Sequence, residues 1–316
     1  MIPHIVFLDR GSLPVPVPKP DFPHTWQEFP SCSPSELLSA ASAADIVISN
    51  KVPLDAAALQ SLPRLKMVAV AATGVNHIDL AACQAQGVAV ANIRHYGDDA
   101  VAEHAFMLML ALRRNLPAYQ RDVAAGLWEK SASFCLFGSP VRDVAGARLG
   151  LFGHGGIGQA MAMRARAFGM EVVFTERRGA ASVRDGYTDF DTVLTTSDVL
   201  SLHCPLTDDT RGMLGEAELM RVKPGAILIN TARGGLVDEA SVVAALKYGQ
   251  LGGAGFDVLS EEPGRSDNPL LRARLPNLIV TPHVGWASQE AMSRLASQLV
   301  ANMASFVAGG RQNRVV

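Results

Sequence analysis

The segment LGLFGHGGIGQAMAMRARAFGMEVVFTE, residues 149–176, decides the fold. An apolar run leads into Gly153-x-Gly155-x-x-Gly158, a helical stretch follows as far as Gly169, and a second apolar run ends on Glu176. Glycine is common in turns, so the three-glycine pattern alone carries little. Directly after a strand and opening a helix, it is the turn of a strand–helix–strand unit that cradles a dinucleotide pyrophosphate. Gly153 permits a tight turn, Gly155 lets backbone approach the phosphates, and Gly158 lets helix and strand pack closely. The N–H groups around Gly156 and Ile157 would point at phosphate oxygens from the helix N-terminus. Glu176 stands where an acid accepts hydrogen bonds from the adenosine ribose and repels a 2′-phosphate, which favours NAD over NADP. Arg177 and Arg178 follow at once and could hold that phosphate instead, so NADP stays open.

Strand-length apolar runs continue on both sides of this segment. After it come VLSLH (199–203), AILIN (226–230), GAGFDV (253–258) and NLIVT (277–281); before it stand HIVFL (4–8), DIVIS (45–49), LKMVAVA (65–71) and VAVANI (88–93). Runs of this length, bounded by Gly, Pro and Asn and separated by helical stretches, read as buried parallel strands. Ala100–Arg114 has helical apolar spacing and lies between the two series, where it reads as a crossing between domains. Met292, Leu295, Ala296, Leu299, Met303 and Phe306 form a last helical stripe that stops at Gly309-Gly310. Leu116–Val144, with Trp128, Phe134 and Phe137, has weak periodicity and reads either as a dimer arm or as ordinary packing.

At 316 residues the chain exceeds one ordinary core, which gives two domains. Lys plus Arg is 28 and Asp plus Glu is 30, a near balance that suits a small metabolite rather than nucleic acid or an anionic membrane. The opening MIPHIVFLDR lacks a basic n-region before a long apolar core and reads as a first strand, not a signal peptide. Cys32, Cys83, Cys135 and Cys204 are far apart with no CxxC pair, which suits a reducing cytoplasm and speaks against a metal site or disulfide framework.

In an open parallel sheet, ligands bind beyond the carboxyl ends of the strands. Three such ends carry polar residues that the fold does not require: Arg233 after AILIN, Glu262 in the loop after Asp257, and His283 after LIVT. Singly they read as a salt bridge, a solvated side chain and a turn residue. Jointly they face the place where the dinucleotide ends. A guanidinium can grip the carboxylate of a 2-keto acid and polarise its carbonyl. Histidine can exchange the proton of the resulting alkoxide, and a carboxylate on its other nitrogen favours the imidazolium and fixes the ring. Asp257 is better placed for the nicotinamide carboxamide or ribose.

The motifs ATGVNHID (72–79), VAEHAFMLMLALRR (101–114), GHGGIGQ (153–159), HCPLTDDTRGML (203–214), KPGAILINTARGGLVDE (223–239), DVLSEEP (257–263) and TPHVGWAS (281–288) resemble, in this order, the D-isomer-specific 2-hydroxyacid dehydrogenase family. The resemblance covers nearly the whole chain. It implies an α/β fold of two Rossmann-like domains, a doubly wound parallel-sheet NAD domain (100–283) inserted in a flavodoxin-like substrate domain (1–99 and 284–316). It implies Arg233 as substrate anchor, Glu262 as acid partner and His283 as acid/base, with backbone N–H groups of Gly74 and Val75 on the substrate carboxylate. Gly156, Ile157, Glu176, Cys204, Pro205, Thr231, Ala232 and Asp257 match its cofactor-contact positions, with Glu176 replacing the usual aspartate. Members pair as homodimers through the NAD domain. Trp286 and SNKVPL (49–54) resemble the glycerate dehydrogenase/hydroxypyruvate reductase branch, which implies D-glycerate, hydroxypyruvate or glyoxylate as substrate, with Lys51 on a distal oxygen or simply solvated. The alternatives are a D-lactate or broad 2-ketoacid reductase and a dinucleotide-sensing binding protein.

Overall fold

Every apolar run read from the sequence becomes a strand of one of two wholly parallel sheets in the computed structural model, which describes residues 2–316. The first sheet is built from β1 (His4–Phe7), β2 (Thr25–Glu28), β3 (Ile46–Ser49), β4 (Met67–Val70) and β5 (Ala89–Ala91), with helices α1 (Leu37–Ala41), α2 (Ala56–Gln60) and α3 (Leu80–Ala85) between them. Its order is β2-β1-β3-β4-β5, the flavodoxin-like winding. Next come α4 (Asp98–Arg113) and α5 (Leu116–Ala124), then β6 (Arg148–Phe152), α6 (Gly156–Ala167), β7 (Glu171–Phe174), α7 (Phe190–Thr196), β8 (Val199–Leu202) and α8 (Glu216–Leu219). The series closes with β9 (Ala226–Asn230), α9 (Glu239–Tyr248), β10 (Leu251–Phe256), α10 (Pro269–Ala273) and β11 (Leu278–Val280), and α11 (Gln289–Val307) follows. The second sheet runs β11-β10-β9-β8-β6-β7, so the winding reverses between β6 and β8 and opens a crevice at that switch point.

The chain divides into two units, Met1–Tyr96 with Ala287–Val316, and Gly97–Trp286. The sequence reading placed the divisions at 99/100 and 283/284. Helix α4 lies wholly in the second unit and is not a crossing segment: it packs on α6, β9 and β10 and buries Ala102, Ala105, Leu108, Met109 and Leu112. Helix α11 belongs to the first unit, where it packs on β4 and buries Leu295, Ala296, Leu299 and Met303. Beyond it, Val315 N–H donates to Val90 O at 2.7 Å and Asn92 N–H to Asn313 O at 3.2 Å, so the C-terminal tail runs antiparallel along the β5 edge. Strand β2 escaped the sequence reading because TWQE is largely exposed and has no apolar run. Among the described residues, no helix is long and apolar enough to cross a membrane.

Both sheets are tied at their N-terminal edge by one device. Asp45, just before β3, accepts from the N–H of His4 at 3.0 Å and from Lys66 Nζ at 3.0 Å. Asp198, just before β8, accepts from the N–H of Arg148 at 3.0 Å and from Lys223 Nζ at 2.7 Å. Each carboxylate thus captures the first N–H of the sheet's founding strand together with a lysine leading into the strand on its other side. Burial pushes both carboxyls up, but the backbone and lysine bonds outweigh it and hold them below the usual 3.8. Asp45→Asn or Asp198→Asn should lower stability by about 1.5–3 kcal/mol near neutral pH, the range for a hydrogen bond to a charged group. Because the folded-state value is depressed, the stabilisation is full above the unfolded value and drains as pH falls through the folded one. Urea-unfolding midpoints of wild type and variant should therefore converge below pH 3.8 and stay apart above it.

Candidate active site

The phosphate loop has the shape its glycines imply. Gly153 sits at φ +120°, and a Cβ there would lie 2.5 Å from the His203 carbonyl oxygen, so the turn after β6 and the chain leaving β8 touch backbone to backbone. Gly155 is extended at the N-cap of α6 and faces open space, leaving the first N–H groups of the helix, from Gly156 and Ile157, without helical acceptors. A Cβ on Gly158 would strike the Gly153 carbonyl, which explains the close strand–helix packing.

Around the crevice, the polar atoms are either neutralised or waiting for a partner. His203 Nε2 meets Ser201 Oγ at 2.9 Å, and loss of solvent around the half-buried ring pushes the imidazole down to about 4, so it is neutral near pH 7. Burial pushes the Cys204 thiol up to about 11, which removes it as a nucleophile. The Thr231 hydroxyl at the end of β9 is buried, and among the described residues nothing bonds to it. An orphaned buried hydroxyl is costly unless a ligand serves it. With the open helix N-terminus and the adjacent Cys204-Pro205 and Thr231-Ala232 turns, the crevice fits a dinucleotide. Glu176, two residues beyond β7, is buried and bonded by both the side chain and the N–H of Arg184.

The three strand-end residues belong to one braced assembly in the second unit. Asn230, fully buried at the end of β9, donates from Nδ2 to Arg233 O at 2.8 Å and accepts from Ala232 N–H at 3.1 Å, which fixes the turn presenting Arg233. The Arg233 side chain is exposed, with Nη1 donating to Ala232 O at 2.6 Å. Gly234 presses against the backbone of Leu259 and Ser260, leaving no room for a Cβ, so this turn abuts the loop that carries Glu262. Buried Glu239 holds that loop, accepting from Ser260 N–H at 2.6 Å and Asn268 Nδ2 at 2.6 Å. Glu262 Oε1 accepts from Leu259 N–H at 2.9 Å, and its Oε2 lies 2.6 Å from His283 Nδ1. An ionised carboxylate only accepts, so Nδ1 donates and Nε2 is left to exchange a proton.

His283 itself sits at φ +54°, a left-handed conformation that non-glycine residues adopt only when held there. Asp257 does the holding. Its Oδ1 accepts from Val284 N–H at 3.0 Å and Thr281 Oγ1 at 2.6 Å, and its Oδ2 accepts from Gly285 N–H at 2.8 Å. His104 Nε2 on α4 adds contacts to Thr281 Oγ1 at 2.8 Å and Asp257 Oδ1 at 3.4 Å. Trp286 Nε1 donates to the His283 carbonyl at 3.0 Å, so the indole braces the same turn. Asn230, Glu239 and His104 are supports that the sequence analysis does not identify. Their one signal was a polar residue at a position that strand or helix periodicity would bury.

In the first unit, Lys51 follows β3, with its N–H on Asp9 Oδ2 at 2.7 Å, and its side chain is exposed. Gly74 and Val75 follow β4, and Thr73 pins the base of their loop by donating to Ile93 O at 2.8 Å. Strands β3 and β4 are neighbours, so these loops leave the same sheet edge.

Burial pushes the Asp257 carboxyl up, but the bonds from His104, Thr281, Gly285 and Val284 outweigh it and hold it below 3.8, ionised at any working pH. Asp257→Asn replaces one acceptor with a donor that faces other donors. It should cost about 1.5–3 kcal/mol in stability. It should also lower kcat roughly 100-fold by releasing the His283 turn. Thermal melts and steady-state kinetics check both, and unchanged kcat would detach Asp257 from the turn's function.

Residues 106–285 match the model of the D-isomer specific 2-hydroxyacid dehydrogenase, NAD binding domain. The chain is 50% identical over 316 residues to a glycerate dehydrogenase of Methylorubrum extorquens, covering 100% of this chain and 99% of that protein. It is 36% identical over 283 residues to a hydroxypyruvate reductase of Blautia hydrogenotrophica, covering 89% of this chain and 87% of the relative. The solved structure of D-lactate dehydrogenase from Aquifex aeolicus, complexed with NAD and lactic acid, is similar at a TM-score of 0.79 and 27% identity, covering 99% of both chains. With its two parallel-sheet units, its phosphate loop and its braced histidine–glutamate pair, the chain belongs to the D-isomer-specific 2-hydroxyacid dehydrogenases.

Proposed function

We propose that this NAD-linked oxidoreductase interconverts D-glycerate and hydroxypyruvate and reduces glyoxylate, with Arg233, Glu262 and His283 as its catalytic groups. The 2.6 Å contact between His283 Nδ1 and Glu262 carries the reading. It fixes the tautomer that leaves Nε2 to protonate a carbonyl oxygen during reduction and to take a hydroxyl proton during oxidation. Arg233 binds the substrate carboxylate and polarises the neighbouring carbonyl with the guanidinium donors not used on Ala232. Within the first unit, the N–H groups of Gly74 and Val75 are donors suited to a carboxylate and Lys51 a cation suited to a distal oxygen; within the second, Trp286 serves the substrate through its hold on the His283 carbonyl.

NAD supplies or accepts the hydride. The N–H groups of Gly155, Gly156 and Ile157 hold its pyrophosphate, with Gly153 and Gly158 shaping the turn. Glu176 holds the adenosine ribose, and Cys204, Pro205, Thr231, Ala232 and Asp257 line the crevice toward the nicotinamide. The glycerate dehydrogenase and hydroxypyruvate reductase relatives support the three-carbon substrate.

The exposed aromatic run of the arm supports a homodimer through the cofactor domain. Trp128 is 53% exposed, and Phe134 and Phe137 are each 91% exposed, on one segment. Four free cysteines support a reducing, cytoplasmic setting.

His283→Ala should lower kcat by about 10²–10⁴-fold while NADH binding, followed by fluorescence, stays near wild type. Loss of NADH binding with turnover per bound cofactor intact would overturn the assignment. Arg233→Ala should raise the keto-acid KM and cut kcat/KM together, because the guanidinium serves both binding and polarisation. A panel of hydroxypyruvate, glyoxylate, pyruvate and phenylpyruvate tests the substrate. Preference for pyruvate or phenylpyruvate would replace the proposed substrate, and no turnover with any would favour a sensor.

A further inference from the structure

Glu176 is the residue an NAD site would use to accept from the adenosine ribose, yet its carboxylate is already saturated. Oε1 accepts from Arg177 N–H at 2.7 Å and Arg184 Nη2 at 2.8 Å; Oε2 accepts from Arg184 N–H at 3.1 Å and Arg184 Nε at 2.7 Å. A carboxylate offers about four acceptor positions, and all are taken. A ribose diol can bond here only by displacing part of the Arg184 fork. The fork also cancels the charge that would repel a 2′-phosphate.

The fork is held in place from several directions. The 177–187 segment leaves at Glu176 and returns to it, with Glu176 N–H on Thr188 O at 2.8 Å and Thr188 N–H on Phe174 O at 2.8 Å. The Arg184 guanidinium lies 4.0 Å over the Tyr187 ring. The Tyr187 hydroxyl meets His154 Nδ1 at 2.9 Å, and the His154 ring stacks on Phe174 at 4.0 Å. His154 is the second residue of the phosphate loop, so Arg184 is braced against the pyrophosphate turn itself. Beside it, Arg178 is anchored by Glu218 Oε1 at 2.6 Å, while the side chain of Arg177 is exposed. The Arg184 guanidinium therefore pairs the charge of Glu176, while Arg178 is spent on Glu218 and Arg177 meets the acid through its backbone N–H alone.

We propose that Arg184 sets the cofactor selectivity of this enzyme by neutralising Glu176, so that its adenosine-ribose subsite accepts a 2′-phosphate and NADPH binds as well as NADH. The inference rests on the ribose role proposed for Glu176. In this arrangement Arg184 acts against NADH by competing with the ribose for the carboxylate, and for NADPH by removing like-charge repulsion.

The test is direct binding of NADH and NADPH to the full chain by nicotinamide fluorescence, in wild type, Arg184→Ala and Glu176→Gln. Wild type should bind the two within about tenfold of each other. Arg184→Ala should free Glu176, tighten NADH and weaken NADPH, shifting the ratio of dissociation constants about tenfold or more toward NADH. Glu176→Gln, which frees Arg184, should shift the ratio toward NADPH. If Arg184→Ala leaves the ratio unchanged while Glu176→Gln alters it, the proposal falls and the ribose role stands. If neither variant moves either constant, the ribose role of Glu176 falls as well. Should Arg184→Ala fail to fold, Arg184→Gln keeps a long stem over Tyr187 without the charge and reads the same ratio.

Discussion

The second unit depends on the burial of one ionised carboxylate, Asp257, among four partners from two parts of the chain. Thr281, Val284 and Gly285 reach it from the end of β11 and the turn beyond, and His104 reaches it from α4. A charge taken from water must be repaid by hydrogen bonds, and here the repayment organises structure. The donors cannot satisfy Asp257 unless the chain after β11 turns sharply, and that turn puts His283 in the left-handed region. From there its ring meets Glu262, whose own loop is pinned by Glu239 and pressed by Gly234. Each polar residue at a strand end is thus supported by another buried polar residue behind it.

How much of this was legible depended on the range of the interactions. The phosphate loop was, because its requirements are local: a positive φ at Gly153 and no Cβ at Gly158 can be read from three glycines in a row of known spacing. The strands were, because burial on both faces demands unbroken apolar runs. Strand β2 was not, because an exposed edge strand needs no such run; TWQE pairs with β1 through its backbone ladder, with a side-chain contact between His4 Nδ1 and Thr25 Oγ1 at 2.8 Å. The braces of the site were not legible either. Nothing in VAEHAF says that His104 meets a threonine 177 positions later, and nothing in LVDE says that Glu239 turns inward to bind Ser260 and Asn268. The pairing of Glu176 with Arg184 lies only eight positions apart but depends on the path of an irregular loop, which no periodicity encodes.

The two units repeat the same solution at the opposite edge of their sheets. Asp45 with Lys66 and Asp198 with Lys223 each fasten the strand that the aspartate precedes to its two neighbours, the founding strand through a backbone N–H and the next strand through an ammonium group. A parallel sheet begins its central strands at nearby points, and the backbone donors there lack helical or turn partners. An aspartate just ahead of the second-wound strand satisfies them in both cases.

The tail that runs along β5 has a consequence for how the chain is made. The first unit takes α11 and its last edge pairing from residues 287–316. On the ribosome, the five strands of that unit emerge long before the helix that covers β4 or the tail that closes the β5 edge. The second unit, contiguous from Gly97 to Trp286, can be finished while the first still shows an open sheet edge and an uncovered apolar face. Synthesis therefore completes the inserted unit before the one that begins the chain, and the nascent protein is most prone to wrong strand pairing during that interval.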